Sequence, residues 1–214
     1  MWQPPPSALY LIAGRARARG NDYLGLIAAA LDGGVDVLQM REKRGARGDL
    51  LELGRRLHDL TQRHGIPFVV NDDPHLARDL SAEGLHLGQS DTSPEAARGI
   101  VGEDVFLGLS THSEDEILAA RGRGLDLIGV GPLYPTRTKE NAEAPVGVDL
   151  LRRASVLAPE LPAFGIGGID HERAQKLAAR GCRRLAVSAA ILEADDPFEV
   201  AFRLKRILTV VPAE

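Results

Sequence analysis

Gly129-Val130-Gly131-Pro132-Leu133-Tyr134-Pro135-Thr136-Arg137-Thr138-Lys139 comes after an apolar run at residues 125–130 and breaks it with glycine and proline. The run has the length and character of a buried strand. Beyond the break lies an irregular loop with two hydroxyls and two cations in four residues. Standing alone, such a loop is either a solvated surface turn or a site that meets an anion. The surrounding chain decides between them, because the same pattern recurs along it: a short apolar run, a polar end, then a helix.

Strands are expected at residues 8–13, 35–40, 66–70, 84–87, 105–109, 125–130, 163–166 and 185–187. Helices are expected between them: 23–31, 49–64 with leucines at helical spacing, 74–80, from Ser93, from Ser113, 148–157, from Asp170 and 197–210. Ser93-Pro94-Glu95 places a capping hydroxyl, a proline at the first position and an acid in the first turn. Ser113 to Glu116 has the form of a capping box. Continuous apolar strands buried on both faces are the signature of a parallel sheet. Eight strand–helix units without a break in composition predict one α/β domain, a (β/α)8 TIM barrel over residues 1–214, with residues 1–7 as a flexible tail. A doubly wound open sheet is the alternative. It would want a glycine fingerprint after the first strand, where this chain has Ala13-Gly14-Arg15.

A net charge of −4 argues against general nucleic-acid binding. No apolar stretch reaches the ~18 residues that a membrane span requires, and a cytoplasmic location is expected. The single cysteine, Cys182, excludes an internal disulfide and is expected to be a structural thiol. Arginine outnumbers lysine 22 to 4, yet Lys43 and Lys139 both stand in loops after apolar runs. A compact ammonium in that position suits a phosphate.

In a barrel of this kind the strand C-termini converge on one mouth. The second strand ends in Gln39-Met40-Arg41-Glu42-Lys43. Alternation turns Gln39, Arg41 and Lys43 to one side and Met40 and Glu42 to the other. Asn71-Asp72 ends the third strand and Asp91 stands after the fourth. Asp72 and Asp91 either cap the neighbouring helices or hold Mg2+, which takes one or two carboxylates together with phosphate oxygens. His86 and His112 are either substrate donors or packed structural histidines. Gly167-Gly168 and Ser188-Ala189 end the last two strands, where backbone N–H groups can cradle a phosphate. The mouth thus carries two anion sites: one of cations and acids suited to pyrophosphate with Mg2+, one of backbone suited to a monophosphate. No nucleophile stands beside a base, so the chemistry implied is electrostatically assisted loss of pyrophosphate.

These stretches, with Gly84-Leu85-His86-Leu87-Gly88-Gln89-Ser90-Asp91, Gly108-Leu109-Ser110-Thr111-His112 and the Gly131–Lys139 loop, resemble the thiamine-phosphate synthase family over essentially the whole chain. The resemblance implies a transferase of thiamine biosynthesis. It joins 4-amino-2-methyl-5-(diphosphooxymethyl)pyrimidine to 4-methyl-5-(2-phosphoethyl)thiazole and releases pyrophosphate by a dissociative route. By that pattern Gln39, Met40, Arg41, Glu42, Lys43, Asn71, Ser110 and Lys139 bind the pyrimidine diphosphate. Arg41, Lys43, Ser110 and Lys139 are its catalytic groups, and Asp72 and Asp91 hold one Mg2+ per subunit. Thr136, Arg137, Thr138, Gly167, Val187 and Ser188 bind the thiazole phosphate, although Arg137 alternates away from it. Loops 44–49 and 134–147 are expected to close as lids. The partners implied are phosphorylated small molecules, with room for a homo-oligomer and none for nucleic acid or membrane. Two departures from the pattern are Ala13-Gly14, where an acid is common, and Asn141, where aspartate is common. Two other readings use the same barrel: a thiazole tautomerase working through a histidine such as His112, and a non-catalytic binder of thiamine phosphate. Neither needs the pyrophosphate set.

Overall fold

Buried apolar runs that pair in register and in parallel must close on themselves or leave an edge, and these close. The computed structural model describes residues 3–18, 22–136 and 144–210. In chain order its strands and helices are β1 (Ala8–Ala13), α1 (Tyr23–Asp32), β2 (Val37–Met40), α2 (Arg47–His64), β3 (Phe68–Asn71), α3 (Pro74–Asp79), β4 (Gly84–Leu87), α4 (Pro94–Val101) and β5 (Phe106–Thr111). They continue through α5 (Glu114–Ala120), β6 (Leu127–Val130), α6 (Val148–Leu157), β7 (Ala163–Ile166), α7 (His171–Ala178), β8 (Arg184–Val187), α8 (Ala189–Leu192) and α9 (Pro197–Thr209). A 3-10 turn, Arg15–Arg17, comes after β1. The eight strands run parallel in sequence order, and β1 pairs with both β2 and β8, so the sheet is a closed (β/α)8 barrel. Among the described residues, no helix is long and apolar enough to cross a membrane.

Alternation along each strand divides the core in two. Leu9, Leu11, Leu38, Met40, Val70, Leu85, Leu107, Ile128 and Leu185 face outward against the helices. Ala8, Tyr10, Ile12, Val37, Val69, Phe106, Leu127, Phe164 and Ala186 fill the barrel itself. Tyr10 and Phe164 meet edge to face at 5.5 Å, a geometry that sets the positive ring edge on the negative face. The barrel is therefore packed below its mouth and open only at the top.

Acids tie the bottom. Asp36, Glu83 and Asp126 directly precede β2, β4 and β6. Their carboxylates accept the backbone N–H of Leu9 (2.7 Å), Phe68 (2.9 Å) and Leu107 (2.7 Å) on the preceding strand. A cation stands behind two of them: Lys205 Nζ lies 2.6 Å from Asp36, and Arg98 lies 3.6 Å from Asp126. Here the structure corrects the sequence boundaries. β2 and β6 begin at Val37 and Leu127, because the acids expected inside them act as the closing brackets of their neighbours.

The caps at Ser93 and Asp170 form as expected, accepting from Ala96 and Arg173. Ser113 accepts from Glu116, but the Glu116 carboxylate reaches back to the N–H of His112. Helix α2 starts at Arg47, whose guanidinium binds Asp73 at 2.8 Å and Asp79 at 2.7 Å. The last part of the 44–49 loop, expected as a lid, is thus the first turn of a helix. Within the stretch expected as a tail, the Pro5 carbonyl accepts from Arg184 at 2.8 Å. Cys182 is half-buried against the outer core, and burial raises its thiol above the ordinary value, as suits a structural cysteine.

Candidate active site at the barrel mouth

The mouth is a cleft of about 910 Å3 lined from nearly every strand end: Gln39, Arg41 and Lys43 after β2, Asn71 and Asp72 after β3, Asp91 after β4, Ser110 on β5, Thr136 after β6, Gly167 after β7, and Val187 and Ser188 at β8. Two expected members are not brought in. Met40 is 2% exposed and packs against the helices, because the strand alternates. Glu42 turns to Arg15 instead, accepting its N–H at 2.7 Å and pairing with its guanidinium at 3.5 Å. Arg137, Thr138 and Lys139 lie outside the described residues.

Neither Asp72 nor Asp91 caps a helix. Asp73 caps α3 and Ser93 caps α4. Asp72 sits at φ +68, a left-handed backbone that a non-glycine residue adopts at a cost and holds only where its surroundings impose it. Asp91 accepts the Gly88 N–H at 2.7 Å. The two carboxyl groups line the same part of the cleft, close enough to interact. Burial, then the neighbouring Asp91 carboxyl, push the Asp72 carboxyl up to about 6, while Arg41 and Lys43 pull the other way. Two facing carboxylates, kept apart from helix ends, are an oxygen donor set that fits Mg2+, with substrate oxygens and water completing it.

The floor of the mouth is set by hydrogen bonds that alternation alone does not announce. His86 Nε2 lies 3.0 Å from Ser110 Oγ. Its ring occupies space that exists because residue 108 is glycine: a Cβ there would stand 2.5 Å from His86 Nδ1. Gln89 Nε2 donates to the Ser110 carbonyl at 2.6 Å, so Ser110 is fixed at both ends. Gln39, 1% exposed, donates from Nε2 to Tyr10 Oη at 2.9 Å. The His112 ring is held on the Gly131 carbonyl.

On the opposite side Gly167 (φ +99) and Gly168 (φ +63) turn consecutively through the left-handed region, which lets the backbone pass close under Pro132 and Tyr134. Tyr134 N–H donates to the Gly167 carbonyl at 3.2 Å, and Val146 N–H to that of Pro132 at 2.8 Å, so both described ends of the β6 loop are tied to the barrel. This side is not built from backbone alone. Arg173 lines the cleft, donates to the Gly168 carbonyl at 2.5 Å and lies 4.7 Å from the centre of the Tyr134 ring. Arg17 and Glu193, 3.3 Å apart, close the rim between the β1 and β8 loops. Arg173 gives no sequence signal, being a helical arginine among many. Gln89 lies in a stretch that carries the family resemblance, but the sequence gives it no role of its own.

Comparison with known proteins agrees with this geometry. Residues 9–191 match the family model described as Thiamine monophosphate synthase. The chain is 42% identical to the thiamine-phosphate synthase of Mycobacterium marinum over 207 residues, covering 92% of this chain and 93% of that one. It is 38% identical to that of Lactococcus lactis subsp. cremoris over 186 residues, covering 86% and 85%. Among solved structures it superposes on the thiamine phosphate pyrophosphorylase from Pyrococcus furiosus with a TM-score of 0.84 at 28% identity, covering 95% and 96% of the two chains. A tryptophan synthase structure from Mycobacterium tuberculosis reaches a TM-score of 0.71 at 9% identity, which shows the shared fold alone.

Proposed function

The chain belongs to the thiamine monophosphate synthase family, and from that premise we propose how its mouth carries the transfer that makes thiamine phosphate. The observation that carries the reading is the meeting of the Asp72–Asp91 pair with Arg41 and Lys43 on one side of a single cleft, opposite the Gly167–Ser188 side. The first side takes the diphosphate of the pyrimidine substrate; the second takes the thiazole phosphate.

Asp72 and Asp91 would hold one Mg2+, which when bound supplies divalent charge to the pyrophosphate oxygens. Arg41 and Lys43 neutralise the charge that gathers on pyrophosphate as the carbon–oxygen bond breaks and its electron pair leaves with oxygen. Lys139, expected at the same side, adds to them. Ser110, held by His86 and Gln89, and Asn71 orient the pyrimidine end. The thiazole nitrogen then gives its lone pair to the methylene carbon. That nitrogen carries no proton, so no general base is needed, in keeping with a cleft where the histidines bind protein groups. Thr136, Gly167, Val187 and Ser188, with Thr138, hold the thiazole phosphate so that nitrogen and carbon meet in line. We place the reaction in the cytoplasm, because both substrates are phosphorylated and do not cross bilayers unaided.

The deciding experiment supplies the purified protein with both substrates and Mg2+. Thiamine phosphate and pyrophosphate should appear in equal amounts, and EDTA should stop both. Absence of product under those conditions sinks the reading.

A further inference from the structure

Gln39 stands apart from the other groups of the mouth because it is a fully buried primary amide, 1% exposed, on the floor of the cleft. Its partner lies in the layer beneath. The β1–β2 register sets Ile12 beside Gln39 and Tyr10 beside Val37, so Tyr10 looks up at the amide from inside the barrel. The Tyr10 ring is held edge-on against Phe164 and is 2% exposed, so its hydroxyl has a fixed position. Gln39 Nε2 donates to that hydroxyl at 2.9 Å. Desolvation keeps the phenol neutral well beyond its ordinary range, so the contact persists at any working pH.

An aminopyrimidine edge presents an amine donor beside a ring-nitrogen acceptor. A carboxamide meets such an edge with its oxygen and one N–H, as it does on adenine. The amide can do so in only one of its two flipped states; the other sets N–H against amine. The hydroxyl can accept from Nε2 or donate to Oε1, so it anchors the head of the carboxamide beneath the cleft and leaves the order of acceptor and donor to the substrate.

We propose that Tyr10 is a positioning residue for the pyrimidine substrate: its hydroxyl, held in place by the ring's packing on Phe164, fixes the head of the Gln39 carboxamide where it can meet an aminopyrimidine edge. The inference rests on the reading of Gln39 as a pyrimidine-diphosphate ligand.

The test is a two-residue kinetic cycle. Tyr10→Phe keeps the ring on Phe164 and removes only the oxygen. It should raise KM for the pyrimidine diphosphate about fivefold, with kcat and the thiazole-phosphate KM within about twofold of the parent. Gln39→Ala should raise the same KM by about tenfold or more, and adding Tyr10→Phe to it should change nothing further. If Tyr10→Phe is silent while Gln39→Ala raises KM, the inference is overturned and the reading of Gln39 stands. If Tyr10→Phe acts equally with and without Gln39, Tyr10 works through packing and the inference is again overturned. If Gln39→Ala leaves KM unchanged, the reading of Gln39 fails and the inference with it.

Discussion

Asp72 and Asp91 stand close together at the mouth, after β3 and β4, while the adjacent Asp73 and the nearby Ser93 do the helix capping. Asp91 makes one local bond, from the Gly88 N–H, Asp72 caps nothing, and partial burial makes the Asp72 charge costly. In metal-free protein at neutral pH, Asp72→Asn should therefore raise stability by about 1 kcal/mol, a few degrees of Tm, because a half-buried charge beside another is removed. The same variant should lose turnover by about 10²–10³-fold with Mg2+ present. Calorimetry in EDTA and a pyrophosphate-release assay measure the two halves. A variant that is both less stable and fully active would remove the pair from the active site.

Asp36 offers a contrast at the other end of the barrel. Its carboxylate accepts from Leu9 N–H and from Lys205, far from any strand C-terminus. Asp36→Ala strands a buried N–H and a half-buried ammonium, and should cost about 2–3 kcal/mol. That is a fall of roughly 5–10 °C in Tm for a chain of this size. Asp36→Asn, which keeps an acceptor for Leu9, should lose about half as much. Kinetic constants should hold in both at temperatures where the barrel is folded, and a change in KM would show that the base communicates with the mouth.

The same residue marks where sequence patterns lose their reach. Period and cap chemistry are local, so strand ends such as Asn71-Asp72 and caps such as Ser93 and Asp170 are legible in the residues themselves. Strand 2 alternation turns Met40 and Glu42 away from Gln39, Arg41 and Lys43, and the structure keeps them away. Asp36 and Asp126 pass for strand residues in the sequence, because their role depends on which strand lies alongside. The start of α2 at Arg47 depends likewise on Asp73 and Asp79, 26 and 32 residues away. Tyr10 reads as one more apolar strand residue, and Arg173 as one more helical arginine. Their meaning comes from the barrel setting β1 alongside β2, with Tyr10 one layer beneath Gln39, and α7 beside the β6 loop.

His64 gives a dependence on pH with a defined sign. It ends α2, with Nδ1 on the Leu60 carbonyl at 2.8 Å and Nε2 on Asp32 at 3.0 Å. Two acceptors favour the ring with both nitrogens protonated, and the Leu60 carbonyl first, then Asp32, raise its pKa above 6.5. A raised value means that the stabilisation is complete below about pH 6.5 and is lost as pH climbs through the folded value. His64→Ala should therefore cost more at about pH 5.5 than at about pH 9, by about 0.5 kcal/mol after solvent screening. Urea titrations at the two pH values decide it. Equal losses would mean that the ring contributes packing and no charge.

The His86–Ser110 contact depends on a missing side chain. A Cβ at residue 108 would stand 2.5 Å from His86 Nδ1 and 2.8 Å from Leu127 Cδ1, with no flexible chain end to yield on the imidazole side. Gly108→Ala should move the ring, release Ser110 and overpack the barrel at a cost of about 1–3 kcal/mol. The rate should fall about tenfold or more at temperatures where the variant is folded, since Ser110 then samples orientations that no longer meet substrate. Gly99→Ala is the control. Gly99 is exposed in α4 with nothing within 4 Å of the added carbon, so it should gain about 0.5–1 kcal/mol and leave the rate alone. If folded Gly108→Ala works at the parental rate, His86 does not position Ser110, and the serine's place in the site must come from Gln89 alone.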